Sequence, residues 1–251
     1  NVPGILEEEK EVIASKVLTG LPRIRSGLSI NVSEPDTKKA WYRNLKDLFL
    51  QKWFYIELKE NRPKIYALMV DTINKMRMPH KDRGAEFISC SVKIKYRPEW
   101  YLDNKIAGVC NHASKSHIKE DLHRYLYAAC FSIIEGRSPK LCDYPAAILP
   151  KHKNIHKKDF DDRFRVQLSD KPSTTITSHI AKDGHYYIHP DPTQCRSLTV
   201  REAARLQTFP DNYFFMGSRT QQYVQVGNAV PPLLANKIAK IVANFIEMGH
   251  D

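Results

Sequence analysis

The chain has no apolar run of 18 residues, so no segment is expected to cross a membrane as a helix. Its opening stretch, Asn1 to Glu11, is acidic rather than basic-then-apolar, which does not read as a secretory leader. It lacks an initiator Met, and the expectation is a fragment or processed product whose further motifs lie upstream. There is no internal repeat and no low-complexity tract. There is also no CxxC pair. The five cysteines, Cys90, Cys110, Cys130, Cys142 and Cys195, are odd in number and widely spaced, which fits a reduced, cytoplasmic chain better than a disulfide framework. Cys110, His112 and His117 lack a fourth ligand at zinc spacing, so no metal site is expected.

What remains is 251 residues, 42% of them hydrophobic, enough for one large or two small cores. The formal net charge is +11. From Lys75 to Lys171 there are 20 Lys/Arg against 12 Asp/Glu, with six of the ten His. Such a stretch suits a polyanion, because each neutralised phosphate releases condensed counterions. Charge alone does not separate DNA from RNA.

Periodicity predicts several elements. Glu7 to Leu18 has a weak helical period. Asn31 to Thr37 is polar and reads as an exposed connector. Trp41, Leu45, Leu48, Lys52 and Tyr55 predict a helix over Trp41 to Tyr55, and Lys64 to Met76 a second. The alternation late in Glu86 to Tyr96 predicts a strand. Leu122, Leu126, Ala129 and Ile133 share one face of a helix over Glu120 to Ile134, stopped by Gly136. Ser138 to Asn154 reads as a surface loop. Thr174 to His189 looks like a β-hairpin turning at Asp183-Gly184. Thr199 and Glu202 fit a capping box for a short helix ended by Phe209-Pro210. The last helix follows Pro231-Pro232 with an apolar stripe of Leu234, Ile238, Ile241 and Phe245.

Two C-terminal segments go further. Arg196-Ser197-Leu198-Thr199-Val200-Arg201-Glu202-Ala203-Ala204-Arg205-Leu206-Gln207-Thr208-Phe209-Pro210-Asp211 resembles the ninth shared motif of the DNA (cytosine-5) methyltransferases. Gln225-Val226-Gly227-Asn228-Ala229-Val230-Pro231-Pro232, followed by an apolar helix, resembles the tenth. Pro172-Ser173-Thr174-Thr175-Ile176 lies upstream in matching order. More weakly, Gly20 to Ser29 is similar to a segment that follows the eighth motif in large bacterial members, whose arginine pair would end just before Asn1. Asn111-His112, His117, Glu120 to Phe131, Gly136 to Lys140 and Asp162 to Gln167 resemble their target-recognition region.

The resemblance implies an α+β chain: a mixed helix and strand target-recognition domain plus the C-terminal part of an α/β methyltransferase domain. Residues 1–40 would connect to the catalytic domain, 41–195 would recognise DNA, and 196–251 would complete the methyltransferase domain. By the same resemblance Asn228 and Val230 would contact S-adenosylmethionine in the complete enzyme. Gly227 supplies a sharp turn and a close backbone approach to that ligand. Thr175 would bond a phosphate of double-stranded DNA. Arg23, Arg25, Lys93, Lys95, Arg97, Arg163 and Arg165 are candidate phosphate contacts, although any one such charge is more often only solvated. Arg201, Glu202 and Arg205 would organise the recognition domain against the catalytic one before they touch DNA.

The family's chemistry needs a cysteine thiolate from a Pro-Cys motif. None of the five cysteines follows a proline, and the Glu-Asn-Val motif and the glycine-rich cofactor turn are absent from the sequence. Three readings stay open: the C-terminal part of a methyltransferase that acts with an N-terminal catalytic half, a non-catalytic DNA-binding relic, and a protein-interaction module. On the first, the apolar faces that meet the catalytic half are expected to be exposed, and the chain is expected to be inactive alone. The expected location is the cytoplasm, at the nucleoid.

Overall fold

The computed structural model describes residues 6–29, 34–150 and 161–248. Among the described residues, seven of the nine α-helices set the frame: α1 Ala14–Leu18, α2 Lys38–Lys46, α3 Pro63–Lys75, α4 Lys119–Glu135, α5 Val200–Leu206, α6 Arg219–Asn228 and α7 Pro232–Met248. Four short strands complete it: β1 Gly27–Leu28, β2 Gly84–Ser89, β3 Gly108–Ala113 and β4 Ser116–His117. β1 runs parallel to β4, and β2 pairs antiparallel with β3 from Gly84 opposite Ala113 to Ser89 opposite Gly108. The chain is α+β, as the sequence predicts. Among the described residues no helix is long and apolar enough to cross a membrane.

Local chemistry explains the helix ends. The Thr37 hydroxyl accepts from the Ala40 N–H to open α2. Pro63 opens α3, where its missing N–H costs nothing. Gly136 closes α4 with φ 65°, a left-handed cap that a side chain would strain. A first core gathers Trp41 and Leu45 of α2, Ile65 and Met69 of α3, and Leu126 and Phe131 of α4. A second gathers Ile176 and Ile180, Ala203 of α5, Phe209, and Tyr223 and Val226 of α6.

Four predicted elements differ. The weak helix over Glu7 to Leu18 shrinks to α1. The helix over Trp41 to Tyr55 breaks after Lys46 into a 3-10 turn, Asp47–Leu50, and a π-helical stretch, Trp53–Leu58. Trp41, Leu45 and Leu48 are fully buried, but Tyr55 has rotated out to 43% exposure. The strand lies at Gly84–Ser89, N-terminal to the alternating stretch. Val92 to Tyr96 alternates for another reason: Ile94 is buried with Val17 and Tyr101, and the Lys93 carbonyl sits where a side chain on Gly20 would stand.

The hairpin over Thr174 to His189 is not formed. Ser178–Ala181 and Gly184–Tyr187 are 3-10 turns instead. Asp183 has an extended backbone, φ −129°, and its carboxylate accepts from the His185 N–H at 3.0 Å. That local bond replaces the positive-φ turn a hairpin needs. The return strand shrinks to Ile188, bridged to Val166 on one side and Ser197 on the other. On α4, Leu122, Leu126 and Ala129 are buried as predicted, while Ile133 is 55% exposed. Part of the predicted connector (Asn31 to Ser33) and part of the predicted loop (Lys151 to Asn154) fall outside the described residues.

Candidate functional site

α5 and the residues flanking it carry a set of buried charges that ties distant segments together. Arg196, Arg201 and Arg205 are among the largest fully buried side chains. Arg196 donates twice to the Glu202 carboxylate, each at 2.6 Å. Glu202 also accepts from the Thr199 N–H at 2.7 Å, closing the predicted capping box. Burial pushes the Glu202 carboxyl up, but Arg196 and His189 outweigh it and hold the group well below the usual carboxylate range. Arg205 forks onto Asp211 at 2.9 and 2.6 Å and reaches the Val17 and Thr19 carbonyls. Arg201 donates to the carbonyls of Cys110, Pro210 and Tyr213. One seven-residue helix thus ties the N-terminal segment, β3 and the 210–213 turn together within this chain.

His112 joins this set from β3. Its Nε2 lies 2.8 Å from the Pro22 carbonyl and its Nδ1 2.9 Å from the Thr199 hydroxyl. A carbonyl only accepts, so the ring carries its proton on Nε2 and accepts at Nδ1. Burial holds it neutral, with its pKa pushed down to about 4. Both ring nitrogens are therefore engaged within the protein.

α6 and α7 place the cofactor candidates. A capping box between Ser218 and Gln221 opens α6, and Tyr223 reaches the Leu198 carbonyl at 2.7 Å. Gly227 is helical rather than a sharp turn, and its close approach is to protein, not ligand: a Cβ there would stand 2.2 Å from the Ser178 nitrogen. Asn228 and Val230 follow, both exposed. Gln207 donates to the Ala229 carbonyl at 3.1 Å, and the Leu233 N–H donates to the Thr208 hydroxyl at 3.0 Å, so the two residues that follow α5 fix this linker from behind. An exposed amide and an exposed apolar side chain on a fixed backbone fit one wall of an S-adenosylmethionine site. Beyond them α7 exposes Leu234, Ile238, Val242, Phe245 and Ile246. Ile241 of the predicted stripe is half-buried.

The predicted DNA contacts separate into groups. Thr175 is exposed and lines a recess of about 410 Å³ with Arg165, Ser173 and Tyr186. Arg165 pairs with Asp162 and stays about a third exposed. Arg163 lies 3.3 Å from Asp183. Lys93 and Lys95 are exposed elsewhere, and Arg97, with φ 46°, bonds Glu9 at 2.8 Å. Arg23 is half-exposed beside Asp191 at 3.4 Å. Arg25 is a correction. Its side chain is fully buried and spent on Asp36 and Asp82, each at 2.6 Å, so it has no surface for a phosphate. Sequence reasoning also missed Lys115, a half-buried amine between β3 and β4.

Comparison with known proteins places these observations. The model of the C-5 cytosine-specific DNA methylases matches residues 33–244. The type II methyltransferase M.Bpa9945I of Bacillus paralicheniformis is 50% identical over 143 residues, covering 57% of this chain and 31% of that protein. M1.HphI of Haemophilus parahaemolyticus is 53% identical over 134 residues, 53% of this chain and 31% of that protein. M.DdeI of Desulfomicrobium norvegicum is 27% identical over 221 residues, 78% of this chain and 51% of that protein. The chain spans from about a third to about half the length of these relatives.

Proposed function

The chain belongs to the family of C-5 cytosine-specific DNA methylases, and from that premise we propose that it is the target-recognition and cofactor-wall part of a DNA (cytosine-5) methyltransferase, working with a catalytic half that carries the Pro-Cys nucleophile and the Glu-Asn-Val motif. In this division of labour the chain selects and holds duplex DNA. Thr175, Arg163 and Arg165 engage phosphates, and Asn228 with Val230 closes one side of the S-adenosylmethionine pocket. When bound, that cofactor supplies the methyl group. The observation that carries the reading is the apolar face of α7, left exposed among the described residues together with Val230, on a sequence none of whose cysteines follows a proline. A helix face of that kind loses water contact favourably only against another apolar surface.

The DNA half of the proposal has its own test. Binding of the chain to a mixed-sequence duplex, titrated at increasing salt, is expected to weaken along a log–log line with a slope of roughly −0.9 for each phosphate neutralised. Arg165→Ala is expected to weaken binding on all sequences alike and to reduce the slope by about one. Affinity indifferent to salt, or an unchanged slope in the variant, would count against these contacts.

A further inference from the structure

Lys115 stands between β3 and β4 with most of its surface buried, and its surroundings are built for a cation. Its ammonium lies 4.2 Å above the ring of Tyr223 on α6 and donates to the Ile180 carbonyl at 2.9 Å. A cation over an aromatic face is attracted by the ring's quadrupole, and more strongly when water is excluded. The same corner is tight throughout. Gly227 of α6 meets the backbone of Thr177 and Ser178, Arg219 donates to the Ser114 carbonyl at 3.0 Å, and Lys115 closes the third side. Thr175, the proposed phosphate contact, is only two residues before Thr177. We propose that Lys115 is a positioning residue that locks the turn Ser178–Ala181, and with it Thr175, onto α6 in the register that meets DNA.

The DNA part of this assignment rests on the function proposed above; the locking of the turn does not. The charge state of Lys115 gives a signature that general loss of packing would not. Burial, then the neighbouring Arg219, pushes its pKa down to about 8, while Asp183 works in the opposite direction. The sign follows: Lys115 is charged near neutrality, and its charge is lost as pH rises through about 8. The groups facing it are Arg219 and Tyr223 on α6, Lys182 and Asp183 after the turn, and His117 on β4. Across the recess stand Asp121, Tyr125, Arg163 and His185. Burial holds His117 and His185 below their ordinary value and pushes Tyr125 and Tyr223 up, so none of these four changes state between pH 7 and 9.

The experiment is hydrogen exchange of the peptide covering 174–188, expressed as protection factors from pH 6.5 to 9, for the wild-type chain, Lys115→Arg and Lys115→Met. Binding to a mixed-sequence duplex is measured on the same samples, and thermal melts establish that each variant is folded. Wild-type protection is expected to fall as pH rises past 8. Lys115→Arg should keep it through pH 9. Lys115→Met should lose about tenfold of the protection already at pH 7, with no further pH dependence. Duplex affinity should follow the same order. Equal protection and equal pH profiles for wild type and Lys115→Met would overturn the proposal. Loss of protection in Lys115→Met, with no duplex binding by any of the three proteins, would uphold the lock on the turn and overturn the DNA reading.

Discussion

Replacing Glu202 by alanine is expected to cost about 3–5 kcal/mol of folding stability, because it strands a buried guanidinium. Arg196 is fully buried, and Glu202 is its carboxylate partner. The same carboxylate accepts from the Thr199 N–H, so the substitution also opens the cap of α5. For a chain of this size the loss corresponds to a drop in melting temperature of about 10 °C. The damage should also travel. α5 holds the 17–19 segment through Arg205 and β3 through Arg201. Hydrogen exchange should therefore accelerate in residues 14–24 as well as around the substitution. A melting temperature within 2 °C of wild type, a margin of roughly 1 kcal/mol, would mean that this ion pair does not organise the fold.

Acid should unfold the chain well before its carboxylates protonate in bulk. Burial pushes the pKa of His112 and His189 down to about 4 and that of His117 to about 3. In the unfolded chain each titrates near 6.5. Below that value the unfolded state takes up protons that the native rings refuse, so stability is fully present above about pH 6.5 and lost as pH falls toward 4. Each ring contributes about 1.4 kcal/mol per pH unit in that window, and three together about 6 kcal/mol by pH 5. That is comparable with the whole stability of an ordinary domain. Glu202, held low by Arg196, acts in the same direction in a lower window, losing its contribution only below the usual carboxylate range. Melting followed by circular dichroism should show the midpoint falling steeply between pH 6.5 and 5. A flat profile over that interval would show that the three rings accept protons without unfolding.

What the sequence disclosed was local and short-range. The capping box of Thr199 and Glu202 is legible because its partners are three residues apart. The helices over Pro63–Lys75 and Lys119–Glu135 are legible from an apolar period that one core satisfies. The hairpin failed because Asp183, next to Gly184, suits two structures, and its carboxylate captured the His185 N–H. Ile176 and Ile180 then packed on Tyr223 and Val226, which a two-residue alternation cannot anticipate. Arg25 reads in the sequence as a candidate phosphate contact because its neutralising partners, Asp36 and Asp82, are 11 and 57 residues away. Lys115 was silent for the same reason: the ring it sits on is more than a hundred residues downstream. Asn228 and Val230 were read by resemblance, and physical reasoning alone would have seen only a helix end before two prolines.

Exposure of the α7 face adds a packing term to that picture. Leu234, Ile238, Val242 and Phe245 keep helical spacing toward solvent along one stripe. Completion of this surface and Asn228 by a catalytic half is the proposed function. It is tested most directly by mixing the chain with a separately expressed polypeptide bearing the Pro-Cys and Glu-Asn-Val motifs, then measuring methyl transfer from labelled S-adenosylmethionine to duplex DNA, each partner also assayed alone. Label in the DNA only in the mixture, reduced by Asn228→Ala in this chain, is the predicted result. Transfer by either polypeptide alone, or none from a mixture shown to form a complex, would contradict it.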